Sequence, residues 1–281
     1  MNTAPQDIET DGAACRIHRD APGWDGLRTA AIGGFRCGSA AAGAGILAKA
    51  EEALRCEGFQ AILGPMDGDT WHSYRLVTES DGSPPFPLEP VSGPYDREAF
   101  EACGFTPVSS YISARAPLDE AIGPSVPPAV DGVTVRPWDG EEAQGLLAHL
   151  FDMSAASFAA NPFFKPISRE AFQALYEPVL PAVDPRLVLF ARDADGIVGF
   201  LFGLPNLAEG KEPKTAIVKT YASRRRGVGH LLLDTFHRTA RDLGFTDVIH
   251  ALMHEKNVSR DRSQRHAARV FRRYALMGKR L

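Results

Sequence analysis

The second half of the chain carries the clearest pattern of apolar and polar positions. The run 215–222 is apolar and β-branched, which predicts a strand, and the amphipathic stretch after it predicts a helix over 228–243. Another strand follows at 246–253. Upstream, 133–138 reads as a strand and 140–159 as an amphipathic helix. Ser168 caps a second helix over 171–180, which stops at Pro181. Residues 186–191 and 197–204 flank Asp193-Ala194-Asp195-Gly196, a turn sequence that predicts a hairpin. A helix near 258–268 and a final strand near 269–277 complete this half.

The first half is less regular. Residues 1–13 read as a flexible polar start and 30–37 as a strand. Ser39 caps a helix through Ile46, Leu47, Ala50, Leu54 and Cys56 that ends at Gly58. A strand at 59–63 is broken by Gly64-Pro65. This strand–helix–strand order repeats that of 215–253. Residues 64–95 are rich in turn residues, polar aromatics and prolines, which exclude regular helix and predict a long ordered loop. A helix at 98–102 is stopped by Gly104, and 108–114 reads as a strand. Pro117, Pro124, Pro127 and Pro128, with Gly123 and Gly132, give 116–132 a linker composition. That places a boundary between a domain over 1–122 and one over 131–281.

Between the strand at 215–222 and the helix after it lies Arg224-Arg225-Arg226-Gly227-Val228-Gly229. A helix start presents unpaired N–H groups and the positive end of the helix dipole, so it suits an anion. Gly227 and Gly229 let a phosphate approach the main chain, and three arginines supply forked donors. A Walker loop would need Gly-Lys-Ser/Thr, which is absent, and a dinucleotide fingerprint would need glycine where Leu232 stands. The plain alternative is an exposed basic turn before an ordinary helix.

The Arg-x-x-Gly-x-Gly spacing resembles the acyl-CoA pyrophosphate loop of the GNAT (GCN5-related N-acetyltransferase) superfamily. The resemblance covers 131–281, whose predicted order β-α-α-β-β-β-α-β-α-β is the GNAT order, while 1–122 reads as a degenerate GNAT-like copy. It implies an α/β fold of two layered GNAT-like domains in tandem, with mixed central sheets flanked by helices. It further implies that acetyl-CoA binds at Thr220, Tyr221 and Ala222, at Arg224, Arg225, Arg226, Gly227, Val228, Gly229 and His230, and at Asn257 beyond the next strand. A backbone N–H of the strand would polarise the thioester carbonyl. Two departures stand out. The family's proline near Tyr221 is missing, and Gln264 occupies the position of the usual acidic tyrosine; Tyr274 lies ten residues further on.

For the base that removes the amine proton the candidates are His254, Glu255 and Glu212. Each also has a plain reading as a strand-end or solvated loop residue. Trp71, Tyr74, Glu89, Asn161 and Phe164 are the candidate lining of an acceptor site between the halves, with His72 and Arg75 beside them. These aromatics would equally serve to pin their own loop.

Composition narrows the partners. Of 281 residues, 44% are apolar and 23% charged, as in a chain with a packed core, and the net charge of −4 argues against nucleic acid. The basic C-terminal cluster from Arg260 to Arg280 reads as a solvated face. Cys15, Cys37, Cys56 and Cys103 have neither zinc nor disulfide spacing, so no metal is expected. No signal peptide or spanning run of apolar residues is seen, which predicts a cytoplasmic protein without a membrane partner. The resulting expectation is an acetyl-CoA-dependent N-acetyltransferase acting by direct transfer to a small-molecule amine. The alternatives are a non-catalytic acyl-CoA-binding or sensing protein and a nucleotide-binding module.

Overall fold

The computed structural model describes residues 4–122, 126–139, 143–256, 263 and 265–281. In the first half these form β1 (Gln6–Thr10), β2 (Ala13–His18), β3 (Thr29–Cys37), α1 (Ala40–Cys56), β4 (Ala61–Gly64), β5 (Leu76–Ser80), α2 (Asp96–Ala102), β6 (Thr106–Pro117) and α3 (Leu118–Ile122). The second half contributes β7 (Thr134–Pro137), α4 (Ala143–Phe158), α5 (Arg169–Tyr176), β8 (Val188–Asp193), β9 (Gly196–Pro205), β10 (Thr215–Ser223), α6 (Val228–Asp242), β11 (Asp247–His254) and β12 (Arg269–Arg280).

Local chemistry sets several of these elements. Ser39 and Ser168 cap their helices, accepting from the amides of Ala42 at 3.2 Å and Ala171 at 3.1 Å. Gly227 opens α6 in the left-handed region, at φ +86°. A Cβ on Gly203 would lie 2.2 Å from the Phe236 ring, so glycine in β9 is what lets α6 settle on the sheet. Gly43 does the same between α1 and α2, where a Cβ would lie 2.6 Å from that of Ala99.

The strands form one mixed sheet, ordered β1-β2-β3-β4-β12-β6-β11-β10-β9-β8-β7, with β5 also paired to β12. Each half holds a parallel pair joined by a helix: β3 and β4 through α1, β10 and β11 through α6. The strand that extends each pair comes from the other half. β12 lies antiparallel to β4 (Met277↔Gly64 to Arg280↔Ala61), and β6 lies antiparallel to β11 (Asp247↔Pro117 to His254↔Tyr111). The exchanged strands also pair with each other from Arg269↔Arg115 to Gly278↔Thr106. The result is a mixed α/β sheet flanked by helices that runs unbroken from one half to the other.

The core follows this exchange. Ala275 and Met277 of β12 are buried with Ile32, Leu47, Ile62 and Phe100 of the first half. On the second half, Leu232, Leu233 and Phe236 of α6 cover one face, and Leu146, Leu150 and Phe172 of α4 and α5 cover the other.

Four sequence expectations change. The segment 1–13 contains β1, paired to β2, rather than a flexible start; as an exposed edge strand it is held by backbone pairing more than by side-chain burial. The long loop at 64–95 contains β5. The helix expected over 171–180 ends at Tyr176 and passes into a 3-10 turn, Glu177–Ala182, because Pro178 and Pro181 offer no amide. β6 continues to Pro117, into the proline-rich segment. Most of the helix expected near 258–268 lies outside the described residues.

Candidate active site

β10 and β11 pair from Thr215↔Asp247 to Val218↔His250 and then part. Both strands are irregular at that point. β10 bulges at Lys219 against β9, and β11 slips against β6 between His250 and Met253, with Leu252 at φ +55°. The Leu252 amide is taken up by Ser113 Oγ at 3.1 Å. Beyond Val218, therefore, the edge of β10 that met β11 faces open space.

That space is a cleft of about 700 Å³. Its floor is β10 from Val218 to Ser223 and β11 from His250 to His254. α4 and α5 wall one side with Leu150, Phe158, Phe172 and Tyr176, and the first half closes the other with Trp71, His72, Tyr74, Arg75 and Tyr111. The indole of Trp71 is wedged between Phe164 and Phe172, with ring centroids 5.8 and 5.6 Å away, and donates to the Lys165 carbonyl at 2.8 Å. The loop at 64–95 thus crosses to the second half and forms part of its cleft.

All five residues expected to contact the acceptor, Trp71, Tyr74, Glu89, Asn161 and Phe164, line this cleft. The Glu89 carboxylate, however, is fully engaged. It accepts from the Phe86 amide at 3.0 Å, from Arg272 Nη1 at 2.5 Å and from the Tyr274 hydroxyl. Tyr274 is 1% exposed in the sheet core, so it reaches Glu89 rather than open cleft. Thr220, Tyr221 and Ala222 lie on the floor. Arg224 and Arg226 are exposed beyond Ser223, and Arg225 bonds the Asp131 carbonyl at 2.8 Å and Asp193 at 3.4 Å, bracing the turn. Gly227, Val228, Gly229 and His230 form the start of α6. Asn257 lies outside the described residues.

The three base candidates are placed apart. Glu212 is exposed ahead of β10, at the end of that strand away from the cleft. Glu255 bonds Arg273 at 2.7 Å and does not line the cleft. His254 does line it, but its Nδ1 accepts from the Lys256 amide at 3.1 Å. Neutral His254 therefore carries its proton on Nε2, with no lone pair there to receive another. Burial, with Lys256 and Arg75 nearby, also lowers its pKa.

His72 has the opposite tautomer. Its Nδ1 lies 2.8 Å from Asp69 Oδ1, a carboxylate that only accepts, so Nδ1 holds the proton and Nε2 keeps a lone pair. Asp69 is fixed by the Trp71 and His72 amides at 2.8 and 3.1 Å. The bond to Asp69 raises the His72 pKa against the opposing effect of burial. The sequence signal was the spacing Asp69-x-x-His72, short enough for a side chain to turn back on its own loop. A further missed residue is Lys219, a charge inside an otherwise apolar strand.

The architecture is similar to solved GNAT proteins. A GCN5-related N-acetyltransferase from Sphaerobacter thermophilus matches with a TM-score of 0.58 at 16% identity, covering 96% of this chain and 76% of that one. A tandem GNAT protein from the clavulanic acid biosynthesis pathway matches at 0.56 and 14% identity, covering 96% and 79%. A probable N-acyltransferase from Enterococcus faecalis V583 matches at 0.55 and 10% identity, covering 96% and 59%. No family model and no curated protein sequence matches the chain. The chain has the GNAT fold. Among its described residues, no helix is long and apolar enough to cross a membrane.

Proposed function

We propose that this protein is an acyl-CoA-dependent N-acyltransferase that acetylates the amine of a small molecule by direct transfer. The observation that carries the reading is the parting of β10 and β11 above Val218 and His250, with the arginine–glycine turn into α6 at the end of the same strand. Acyl-CoA fits these residues. The positive end of the α6 dipole, with Arg224 and Arg226, suits its phosphates, and the open edge of β10 at 220–222 suits the amides of its pantetheine arm. Bound acetyl-CoA supplies an activated acyl carbon, which passes to the amine as the thiol is released. His72 Nε2 receives the amine proton while Asp69 holds the ring and balances the imidazolium. Trp71 and Phe164 keep water from the wall beside it.

Two measurements test this. Calorimetry should show micromolar acetyl-CoA binding, weakened roughly 100-fold or more by Gly227→Glu with Gly229→Glu, which puts carboxylates where phosphates would sit. A folded wild type that does not bind acetyl-CoA would sink the reading. With any amine that supports thiol release, kcat/KM should rise with pH, because only neutral His72 accepts a proton. The midpoint should lie above the ordinary histidine value of about 6.5, since the pKa is raised. His72→Gln should lower kcat/KM by about 10²–10³-fold, and Asp69→Asn should move the midpoint down. A rate that His72→Gln leaves intact would remove His72 from this role.

A further inference from the structure

Among the described residues, two cations of the cleft have no anionic partner. Arg75, from the first half, is 9% exposed at φ +80°. Its guanidinium carbon lies 3.9 Å from the centre of the Tyr74 ring and 4.1 Å from that of Tyr111. One Nη donates to the Tyr74 hydroxyl and the other makes a long contact, 3.5 Å, with the Leu252 carbonyl. Its Nε is buried with no acceptor among the described residues. Lys219, from the bulge of β10, donates to the Leu88 carbonyl at 3.0 Å. Among the described residues neither cation forms a salt bridge. Glu89, the carboxylate that acts on Lys219, is committed to Arg272 and Tyr274.

Such an arrangement is costly for the free protein. A buried guanidinium normally satisfies its fork on carboxylate or phosphate, and two cations beside one cleft repel each other. Burial, and then the Arg75 charge with Glu89 opposing, lowers the Lys219 pKa to about 7, so a bound anion would favour its charged form. Tyr74 and Tyr111, with ring planes 88° apart and centroids 5.7 Å apart, meet the guanidinium from directions about a right angle apart and leave part of its fork for a ligand. A planar carboxylate can bridge two donors of that fork.

We propose that the acceptor is an amine that also carries a carboxylate, and that this carboxylate docks on Arg75 and Lys219. The inference rests on the acyltransferase reading for the word acceptor, but the anion site itself does not. The two cations come from different halves, so the acceptor would be held across the junction. Its amine would then lie on the same side of the cleft as His72.

The test uses product-like probes, which need no turnover. N-acetylphenylalanine and its carboxamide differ only in the charged group. In calorimetry on the full chain with CoA present, the acid should bind roughly tenfold or more tighter than the amide, as a charge-assisted pair implies. Arg75→Met should erase that preference, and Lys219→Met should reduce it. If Arg75→Met does not fold, the wild-type pair and Lys219→Met decide. Equal binding of acid and amide to the wild type, or no binding of either at millimolar concentration, overturns the proposal. An acetyl-CoA titration of the same sample separates the two readings. Acetyl-CoA binding without acid preference sinks the anion site alone. Acid preference without acetyl-CoA binding leaves the anion site standing and sinks the acyltransferase.

Discussion

Truncation at residue 268, which removes β12, leaves a chain that does not fold. β12 lies between β4 and β5 on one edge and β6 on the other, so its loss opens the middle of the sheet. It takes with it Tyr274, Ala275, Leu276 and Met277, each no more than 3% exposed. Burial of side chains the size of Leu276 and Met277 is worth about 1.5–3 kcal/mol apiece. Glu89 would also lose Arg272 and Tyr274, and a buried carboxylate stripped of its partner costs about 3–5 kcal/mol. Together these approach the total stability of an ordinary domain, about 5–15 kcal/mol. The same exchange predicts that residues 131–281 made alone are insoluble, because β11 lacks β6 and β12 lacks its partners. Co-expression with residues 1–122 should restore a soluble complex in which the sheet reassembles. Circular dichroism and a thermal melt decide it: a cooperative melt from 131–281 alone would mean that the strand exchange is dispensable.

What could be seen in the sequence was local. The Ser39 cap, the turn at 193–196 and the strand–turn–helix around Gly227 are each written within a dozen residues, and each forms as the spacing predicts. The exchange of β6 and β12 was hidden because strand partners are chosen by long-range packing rather than by the local run of residues. β1 was hidden for the opposite reason: an exposed edge strand needs few apolar positions. The site shows the same division. The cleft floor at 220–222 was implied by the GNAT resemblance of the turn after it, and the aromatic wall at Trp71 and Phe164 by residue type. Which histidine keeps a free lone pair could not, since that depends on whether Nδ1 meets the Lys256 amide or the Asp69 carboxylate. Arg75 and Lys219 are 144 positions apart, so no spacing in the chain brings them to one cleft.

Acid should destabilise this protein through a buried histidine pair well before its carboxylates titrate. His237 of α6 and His250 of β11 are 0% and 3% exposed and lie edge to edge with their Nε2 atoms 2.9 Å apart. His250 Nδ1 meets Ser263 Oγ at 2.7 Å, while His237 Nδ1 has no partner among the described residues. The arrangement that leaves no buried N–H unpaired has His237 donating through Nε2 to His250, and His250 donating through Nδ1 to Ser263. A further proton then has no good place. On His237 Nδ1 it points at nothing, and on His250 Nε2 it faces another N–H. Burial, then the neighbouring histidines, accordingly lowers both pKa values, that of His250 to about 3. Folded values below the unfolded value of about 6.5 mean stability that is complete above that pH and lost as the pH falls below it. Between pH 7 and pH 5 the pair should cost about 4 kcal/mol, roughly two protons taken up on unfolding. His18 and His254, also lowered, act in the same direction, and His72, raised, acts against them. Urea midpoints across that range measure the slope. Replacing the pair by His237→Gln and His250→Gln should flatten it even if the variant is less stable throughout. Equal stability of the wild type at pH 5 and pH 7 would show that the pair accepts a proton in the folded state, and that the unpartnered Nδ1 is not the barrier described.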